Sequence, residues 1–512
     1  MFRTLSRPVF SGSPPEYKNM IMQSIHQFAY DFILAKTPID LMELSETINL
    51  GGYYLKLSSY APVKRILIGR AELIIIGDFV LSDGRSIYEF EEGAQHAIEK
   101  DFIERAGAII DGMLGHFVAV LNDRGRVYVF PDATSSVPVY YPVHTADVLA
   151  SSIETQIDPI GSDGNESTII RRILNSSSPG QVLPYDLCPT PGVRVLLPNH
   201  YLKLFGGYAV RRDINIEEDR NKSLESVAKD AAAIIRKAAD YFSSMYSVRC
   251  PLTGGLDSRV VLSAFLSSGY TDEVFTFKHE RLGDHSKDVV IPVEVSEKFG
   301  LSHSMISMRA GCRVDVYENK WDREINYPKN SHAIKNLCKI VETYGRGVAV
   351  PNGNVIGQIG KSSVGGCIEN NLFGPRILRA KNHYCSRAGL GFEKRYLESL
   401  ENSAGSISDF YSWEVRCGKW GALSGNFYRR AGVLSLNLFN CTNLIKSFCA
   451  IPRELRVKGL LHREIVRELD SDFLHSFPIK AKSSYLRSSS VLFAAASLLK
   501  FYGNLLRRKL HH

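Results

Sequence analysis

The stretch VRCPLTGGLDSRVVLSAF, residues 248–265, decides which fold the sequence predicts. Its first residues favour a strand and its last residues an apolar helix, with Gly254 and Gly255 at the turn between them. A glycine-rich turn that opens a helix directs unpaired backbone N–H groups outward at the positive end of the helix dipole. Such a turn is suited to binding phosphate, although many Gly-Gly turns only join two elements.

The polar residues of this turn favour the phosphate interpretation. Thr253 and Ser258 offer hydroxyl groups, and Asp257 offers the carboxylate oxygens that Mg²⁺ prefers. The GxxxxGK(S/T) loop of many nucleotide-binding proteins occurs nowhere in the chain. The string TGGLDSR instead resembles the SGGxDS pyrophosphate loop of N-type ATP pyrophosphatases, which cleave ATP between its α- and β-phosphates and leave an adenylated intermediate.

The residues after this helix predict a parallel sheet. EVFTFKH, residues 273–279, has the composition of a second strand. A strand, a helix and a strand at this spacing indicate parallel pairing, with ligands bound beyond the carboxyl ends of the strands. The TGGLDSR loop lies at such an end.

Length and composition are those of a soluble, enzyme-sized protein. The chain has 512 residues, of which 44% are apolar and 23% charged, and its net charge of +8 comes from scattered Lys and Arg residues. Neither nucleic-acid binding nor a membrane span is expected, since basic blocks and apolar runs of about 18 residues are both missing. Nine cysteines without a CxxC pair predict reduced thiols in a cytoplasmic protein rather than disulfides or a zinc site.

The sequence divides into two predicted domains. Residues 1–210 contain short β-branched and aromatic runs, among them LNDRGRVYVF, residues 121–130, which predicts a hairpin. Residues 211–223 are charged and without apolar periodicity, which predicts a linker. Residues 224–512 begin with an amphipathic helix and continue with the α/β pattern described above.

Nearly the whole chain resembles asparagine synthetase and its relatives. GHFVAVLNDRGRVYVFPDATSSVPVYY (115–141) is similar to that family's strand hairpin and its Arg-Asp-x-x-Gly-x-x-Pro-Leu-Tyr-Tyr segment. KDVVIPVEVSEKFGLSH (287–303) and LFNCTNLIKSFCAIPRELRVKGLLHREIVREL (438–469) resemble later helical segments. The resemblance implies an α/β protein with a strand-rich, Ntn-hydrolase-like αββα domain of the glutaminase type, followed by a parallel-sheet ATP-pyrophosphatase domain with a helical C-terminal part.

The first departure from the family concerns glutamine. In its glutamine-using members the residue after the initiator Met is a Cys whose thiol attacks glutamine. This chain has Phe2 at that position, and its first cysteine is Cys188. We therefore expect no glutaminase activity. A first domain retained without its cysteine resembles the β-lactam synthetases and lasso-peptide cyclases, which activate a carboxylate with ATP and close it onto an amine already present in the substrate.

The second departure concerns the family's next phosphate-and-metal loop, Ser-Gly-x-Gly-x-Asp-Glu. The corresponding stretch, AVPNGNVIGQIGKSSVGG (349–366), contains no acid. Some bacterial relatives have Gly-Gly-Glu-x-x-Arg-Gly here, so that Gln358 replaces Glu and Lys361 replaces Arg. The loss of a carboxylate removes one Mg²⁺ ligand. Two interpretations stay open: an enzyme that uses Lys361 for charge neutralisation, and a nucleotide-binding pseudoenzyme.

The resemblance also implies site residues. The predicted catalytic residues are Lys361 and, from the family's late lysine, Lys480 and Lys482, for which solvated surface positions are the alternative. Arg259 and Lys287 are candidates for phosphate contacts, whereas His285 and His303 are expected at loop or helix ends. Asp257 is the predicted metal ligand. The predicted ATP-binding residues are Leu252, Thr253, Gly254, Gly255, Asp257, Ser258, Arg259, Phe277, Asn352 and Gly353.

These observations predict an ATP- and Mg²⁺-dependent, amide-forming ligase without glutaminase activity, acting on a small-molecule or peptide carboxylate. A non-catalytic scaffold for ATP or AMP, or a partner subunit of a biosynthetic complex, is the alternative. The possible protein partners are a second copy of the chain, in a homodimer, and the members of a biosynthetic complex. A tRNA-thiolating pyrophosphatase is disfavoured because CxxC and basic clusters are missing. VLFAAASLLKFYGNLLRRKL (491–510) predicts a helix that packs on the second domain or contacts a membrane.

Overall fold

The computed structural model describes residue 499 and most of residues 30–469. The gaps within that range are 40–43, 45, 59–60, 69, 83–101, 145, 154–155, 159–163, 177–181, 271–272, 280–282, 309–330, 367 and 370–373. The described residues form a mixed α/β structure with antiparallel sheets in the N-terminal half, parallel sheets later and a helical C-terminal part.

Two antiparallel sheets, each with six described strands, form the N-terminal half. One has the order β10-β8-β9-β1-β3-β2 and the other the order β12-β11-β7-β6-β5-β4. Helices α1 (Phe102–Asp111) and α2 (Gly164–Asn175) accompany them. The strands are β1 (Phe32–Ala35), β2 (Glu46–Asn49), β3 (Tyr54–Leu57), β4 (Val63–Ile68), β5 (Ala71–Leu81), β6 (Met113–Asp123), β7 (Arg126–Pro131), β8 (Tyr140–Pro142), β9 (Val148–Ser151), β10 (Val193–Val195), β11 (His200–Lys203) and β12 (Tyr208–Arg211).

The central strands of the second sheet, β5, β6 and β7, are buried on both faces, which explains their continuous apolar runs. On β5, Ile74 and Ile76 join the main core, while Leu73 and Ile75 face the other way and pack with Ala106 of α1. Strands β6 and β7 form the hairpin predicted from LNDRGRVYVF. Its two turn residues, Arg124 and Gly125, both have positive φ (52° and 84°), as a type I′ turn requires. The predicted hairpin is confirmed.

The parallel strands form one continuous arrangement around the quoted stretch. They are β13 (Ser247–Val248), β14 (Cys250–Pro251), β15 (Val274–Lys278), β16 (His303–Ser307), β17 (Val348–Pro351) and β18 (Leu434–Leu436). Only Arg249 separates β13, which pairs with β17, from β14, which pairs with β15. The strand order is therefore β16-β15-β14/β13-β17-β18. The order reverses at the central strand, and ligands bind at such a reversal in open α/β sheets.

The helices of the C-terminal half surround this parallel arrangement. Helix α3 begins after Ser223, whose side chain accepts a hydrogen bond from Ser226 N, and it buries one face containing Ile235 and Phe242. Two π-helical segments, Ile356–Gly360 and Ser412–Gly421, interrupt the helical part. The α-helices are α3 (Leu224–Met245), α4 (Leu256–Leu266), α5 (Lys287–Lys298), α6 (Ser331–Tyr344), α7 (Gly374–Lys381), α8 (Leu390–Glu398), α9 (Ile407–Tyr411), α10 (Ala422–Arg430), α11 (Thr442–Ala450), α12 (Arg453–Val457) and α13 (Leu460–Leu469).

The two halves share a core and buried polar contacts. The largest apolar cluster contains residues from Tyr30 to Leu469. Trp413 Nε1 donates a 2.6 Å hydrogen bond to the Ala133 carbonyl oxygen, so the π-helical segment of one half is joined to the other. No helix of the described residues has the length and apolar character needed to cross a membrane.

Candidate functional site

The TGGLDSR loop lies between β14 and α4, at the carboxyl end of the central strand. Leu252 N still donates to the Phe275 carbonyl oxygen at 2.8 Å, and the chain then leaves the sheet. Thr253 N donates to Ser258 Oγ at 3.1 Å, and Gly255 N donates to Thr253 Oγ1 at 3.2 Å. The hydroxyl oxygens of Thr253 and Ser258 therefore lie 3.0 Å apart, and their hydrogen bonds stabilise the turn of the loop.

The glycines of the loop allow close backbone packing. A Cβ atom added at Gly254 would lie 2.7 Å from the Lys287 carbonyl oxygen, so the loop contacts the first turn of α5 without room for a side chain. Gly255 is the N-cap of α4, with φ of −88°. The first N–H groups of a helix have no intrahelical acceptor, so those at the start of α4 are available to bind an anion.

A cleft of about 500 Å³ opens beside the loop. This volume is within the range of small-molecule sites. Of the predicted ATP-binding residues, the cleft is lined by Thr253, Asp257, Ser258, Phe277, Asn352 and Gly353. The structure thus brings together residues from three segments that are distant in sequence, at the edge where the strand order reverses.

The other residues that line the cleft are mainly neutral and partly aromatic. Trp420 and Tyr428 line it, together with Asn336 of α6. Asn352 is fixed by hydrogen bonds from its Nδ2 to Ser435 Oγ at 3.0 Å and to the Leu436 carbonyl oxygen at 2.8 Å. A planar ring system can stack on Trp420 and Tyr428. A charged ligand group would find no ionic partner among Trp420, Tyr428, Asn336 and Asn352.

Asp257 contacts two nitrogen-bearing side chains. Lys361 Nζ donates to Asp257 Oδ1, and His462 Nε2 lies 3.0 Å from the same oxygen. Burial raises the pKa of Asp257, but the contacts with His462 and Lys361 outweigh it and hold that pKa well below its ordinary value. Burial lowers the pKa of His462, and the nearby Asp257 opposes that effect.

This environment does not fit a magnesium ion held by Asp257. Among the described residues that line the cleft, Asp257 is the one carboxylate. Its Oδ1 faces an ammonium group and a ring nitrogen, whereas Mg²⁺ requires oxygen ligands and like charges repel. No group of three or more His, Cys, Asp or Glu side chains suited to a metal occurs among the described residues.

Other predicted residues lie elsewhere. Leu252 and Arg259 are both fully buried. His303 Nε2 is 3.0 Å from Thr276 Oγ1, and burial lowers the pKa of this histidine. His285 and Lys287 are exposed at the start of α5. Phe2, Lys480, Lys482 and the segment 491–510 lie outside the described residues.

Sequence reasoning missed His462, Trp420 and Tyr428. His462 is fully buried in α13, although the two residues that follow it, Arg463 and Glu464, are charged. The helical pattern of LLHREIVREL contains a signal for this burial, because it places His462 on the same face as Leu461, Ile465 and Leu469. Trp420 and Tyr428 gave no such signal, because aromatic residues in helices are more often part of a core.

No protein-family model and no curated protein matches this sequence. The site residues and their geometry, together with the resemblance stated above, are therefore the basis for a function.

Proposed function

We propose that this protein is an ATP-dependent ligase that adenylates a carboxylate, releases pyrophosphate and forms an amide bond without hydrolysing glutamine. One observation carries the proposal. The TGGLDSR loop, at the carboxyl end of the central parallel strand, faces a cleft of about 500 Å³ together with Phe277, Asn352 and Gly353. The resemblance of this loop to the pyrophosphate loop of the asparagine synthetase family adds the reaction class.

The proposed roles follow from the chemistry of adenylation. The N–H groups at the start of α4 and the hydroxyls of Thr253 and Ser258 would bind phosphate oxygens. Trp420 and Tyr428 offer surfaces for the adenine ring or for an apolar acyl group. Lys361 would stabilise the negative charge that accumulates on the leaving pyrophosphate. Lys480 and Lys482 stay candidates for the late family lysine.

The proposal includes a first domain of the Ntn-hydrolase type without glutaminase activity. The first described strand, β1, begins at Phe32, and no cysteine precedes Cys188 in the sequence. Cys188 itself is buried. The cysteine that attacks glutamine in the glutamine-using members is therefore missing from the sequence before Cys188. None of the seven described cysteines forms a disulfide, which supports a cytoplasmic location.

A nucleotide-binding scaffold is the second candidate. The observation that favours it is the acid-free second loop, where Gln358 Oε1 accepts a hydrogen bond from Ser363 Oγ at 2.5 Å and Lys361 binds Asp257. In this case the cleft binds ATP or AMP without chemistry, and the protein acts as a partner in a biosynthetic complex.

One experiment separates the two candidates. The protein is incubated with ATP, a panel of amino-acid and peptide carboxylates, and hydroxylamine, which intercepts acyl adenylates as hydroxamates. A ligase should release AMP, pyrophosphate and hydroxamate in equal amounts with at least one carboxylate, and it should release no glutamate from glutamine. Lys361→Ala should reduce the rate of pyrophosphate release more than it reduces ATP affinity.

Three outcomes decide against parts of the proposal. ATP binding without pyrophosphate from any carboxylate, together with activity gained by Gln358→Glu, would support the scaffold. Glutamate formation above the level of a Phe2→Ala control would contradict the inactive first domain. A protein that binds no adenine nucleotide would refute both candidates.

A further inference from the structure

The position that the sequence assigns to a metal ligand is occupied by an internal ion pair. Lys361 Nζ donates to Asp257 Oδ1 across 104 positions of sequence, and His462 Nε2 approaches the same oxygen. Asp257 lines the cleft and its side chain is 40% exposed. The Lys361 side chain, bound to that carboxylate, is 22% exposed and so keeps part of its surface accessible beside the cleft.

The backbone around Lys361 fixes this arrangement. Lys361 follows the π-helical segment Ile356–Gly360, and the next turn is closed by a 3.0 Å hydrogen bond from Ser362 N to the Ile359 carbonyl oxygen. On the other side of the carboxylate, a Cβ atom added at Gly357 would lie 3.0 Å from Asp257 Oδ2. The second loop therefore closes around both oxygens of Asp257.

A hydrated divalent ion and this ion pair exclude each other. A magnesium ion keeps several water molecules and demands octahedral oxygen ligands, which need space around a carboxylate. At Asp257 that space holds the Lys361 ammonium group on one side and the backbone at Gly357 on the other. A lysine supplies a positive charge and three N–H donors to phosphate oxygens without any such geometric demand.

We propose that Lys361 replaces a divalent cation at Asp257, so that this cleft binds a nucleoside triphosphate without a metal ion held by the protein. The inference rests on the proposed nucleotide binding and adds that Lys361 neutralises part of the negative charge of the triphosphate. Asp257 then orients Lys361, and the phosphate chain contacts the ammonium group, the hydroxyls of Thr253 and Ser258, and the N–H groups at the start of α4.

The test compares ATP affinity in excess Mg²⁺ and in EDTA by calorimetry, for wild type and three variants. Lys361→Arg keeps a cation, and Lys361→Glu converts the site to two carboxylates. Lys335→Glu makes the same charge change on an exposed residue of α6, the helix that contributes Asn336 to the cleft. It controls for the effect of overall charge on the binding of an anion.

The expected result is a change in metal dependence. Wild type, Lys361→Arg and Lys335→Glu should each bind ATP with affinities that differ by less than about threefold between Mg²⁺ and EDTA. Lys361→Glu should lose about tenfold or more in EDTA, because two carboxylates repel the phosphates, and should regain affinity in Mg²⁺. Manganese EPR of the ligand-free proteins should detect a bound ion in Lys361→Glu and none in wild type.

The contrary outcomes are distinct. If wild type binds ATP in Mg²⁺ but loses about tenfold or more in EDTA, the inference is refuted and the proposed function stands. The inference is also refuted, and the proposed function stands, if wild type binds manganese and Asp257→Asn abolishes that binding. A third refuting outcome is an ATP affinity of Lys361→Glu equal to that of wild type in both buffers. If no protein binds ATP in either buffer, the proposed function itself fails and the inference fails with it.

Discussion

Asp31 and Asp257, in different halves of the molecule, each contact two nitrogen-bearing side chains. Asp31 accepts hydrogen bonds from Arg429 at 3.0 Å and from Arg430 at 2.5 Å, and its side chain is fully buried. Burial raises the pKa of Asp31, but the two arginines outweigh it, and the pKa lies below its ordinary value. Both carboxylates are therefore ionised, yet only Asp257 faces a cleft.

Exposure to solvent separates these two clusters. A fully buried pair has already lost its water, so its partners serve each other, and removal of one leaves the others uncompensated. A pair that is partly exposed at a cavity is screened by solvent, contributes little to stability and keeps donor capacity for a ligand. A low pKa alone does not separate the two cases.

The largest effect is expected from Asp31→Ala, which leaves Arg429 and Arg430 buried without their carboxylate. Breaking a buried pair on one side typically costs about 3–5 kcal/mol. Because Asp31 precedes β1 and both arginines end α10, the variant should also loosen the contact between the halves. Urea unfolding followed by circular dichroism measures the change in unfolding free energy.

The matched control is Asp147→Ala, which removes an exposed carboxylate beside β9 of the same sheet. This variant should change the unfolding free energy by less than about 0.5 kcal/mol. Equal unfolding midpoints for the two variants would show that the Asp31 cluster has no special role in stability.

The sequence predicted elements of both halves but not the side-chain contacts around Asp257 and Asp31. Hairpin and strand patterns such as LNDRGRVYVF and EVFTFKH are local, because turn residues and side-chain alternation act over a few positions. Lys361 was identified from the second loop, yet its partner Asp257 was expected to bind a metal. The contact with His462 depends on how α13 packs on α4, which no local pattern encodes.

The buried network around Asp31 was equally beyond sequence reasoning. Asp31 and the arginine pair are separated by almost the whole described chain, and each appears in the sequence as an ordinary charged residue. Only the packing of α10 against the N-terminal half brings them together. The candidate cleft could be predicted in part, because the carboxyl end of a strand and a glycine-rich loop locate it, whereas its aromatic wall could not.

Glu393 is a third carboxylate, fully buried and hydrogen-bonded by neutral groups. Glu393 Oε1 accepts hydrogen bonds from Asn382 and from Tyr384, both at 2.8 Å. Burial raises the pKa of Glu393 to about 7, although these hydrogen bonds and Lys419 oppose it. Its folded-state pKa lies above the unfolded value, so its contribution to stability is full below about pH 4.5 and is lost as the pH rises through 7.

Glu393→Gln should therefore become more favourable relative to wild type as the pH rises. The amide keeps an oxygen for Asn382 and Tyr384 and does not ionise. Between pH 4.5 and 8 the difference in unfolding free energy should shift by up to about 3 kcal/mol in favour of the variant. Chemical denaturation at several pH values measures this shift.

Glu398→Gln, in the same helix α8, is the control for this measurement. Glu398 is 48% exposed and pairs with Lys394, so its removal should give a difference from wild type that is nearly independent of pH. Parallel pH profiles for wild type and Glu393→Gln would show that folding does not raise the pKa of Glu393.

The smallest effect on stability is expected from Asp257→Ala, although this carboxylate has two partners as Asp31 does. The Asp257 and Lys361 side chains keep contact with water, so their ion pair should contribute less than about 1 kcal/mol. His462 loses its contact with the carboxylate, and burial favours the uncharged form of its ring. ATP affinity, in contrast, should fall, because Lys361 loses the carboxylate that orients it toward the loop.

Urea unfolding and calorimetry on the same preparations of Asp257→Ala and Asp31→Ala test both halves of this comparison. Asp31→Ala should be much less stable, yet where it remains folded it should bind ATP nearly as wild type does. Asp257→Ala should reverse that pattern, with near-normal unfolding and weaker ATP binding. If Asp257→Ala instead loses about 3 kcal/mol or more and binds ATP normally, then Asp257, Lys361 and His462 form a structural cluster of the Asp31 kind, and exposure at a cleft is not a sufficient sign of function.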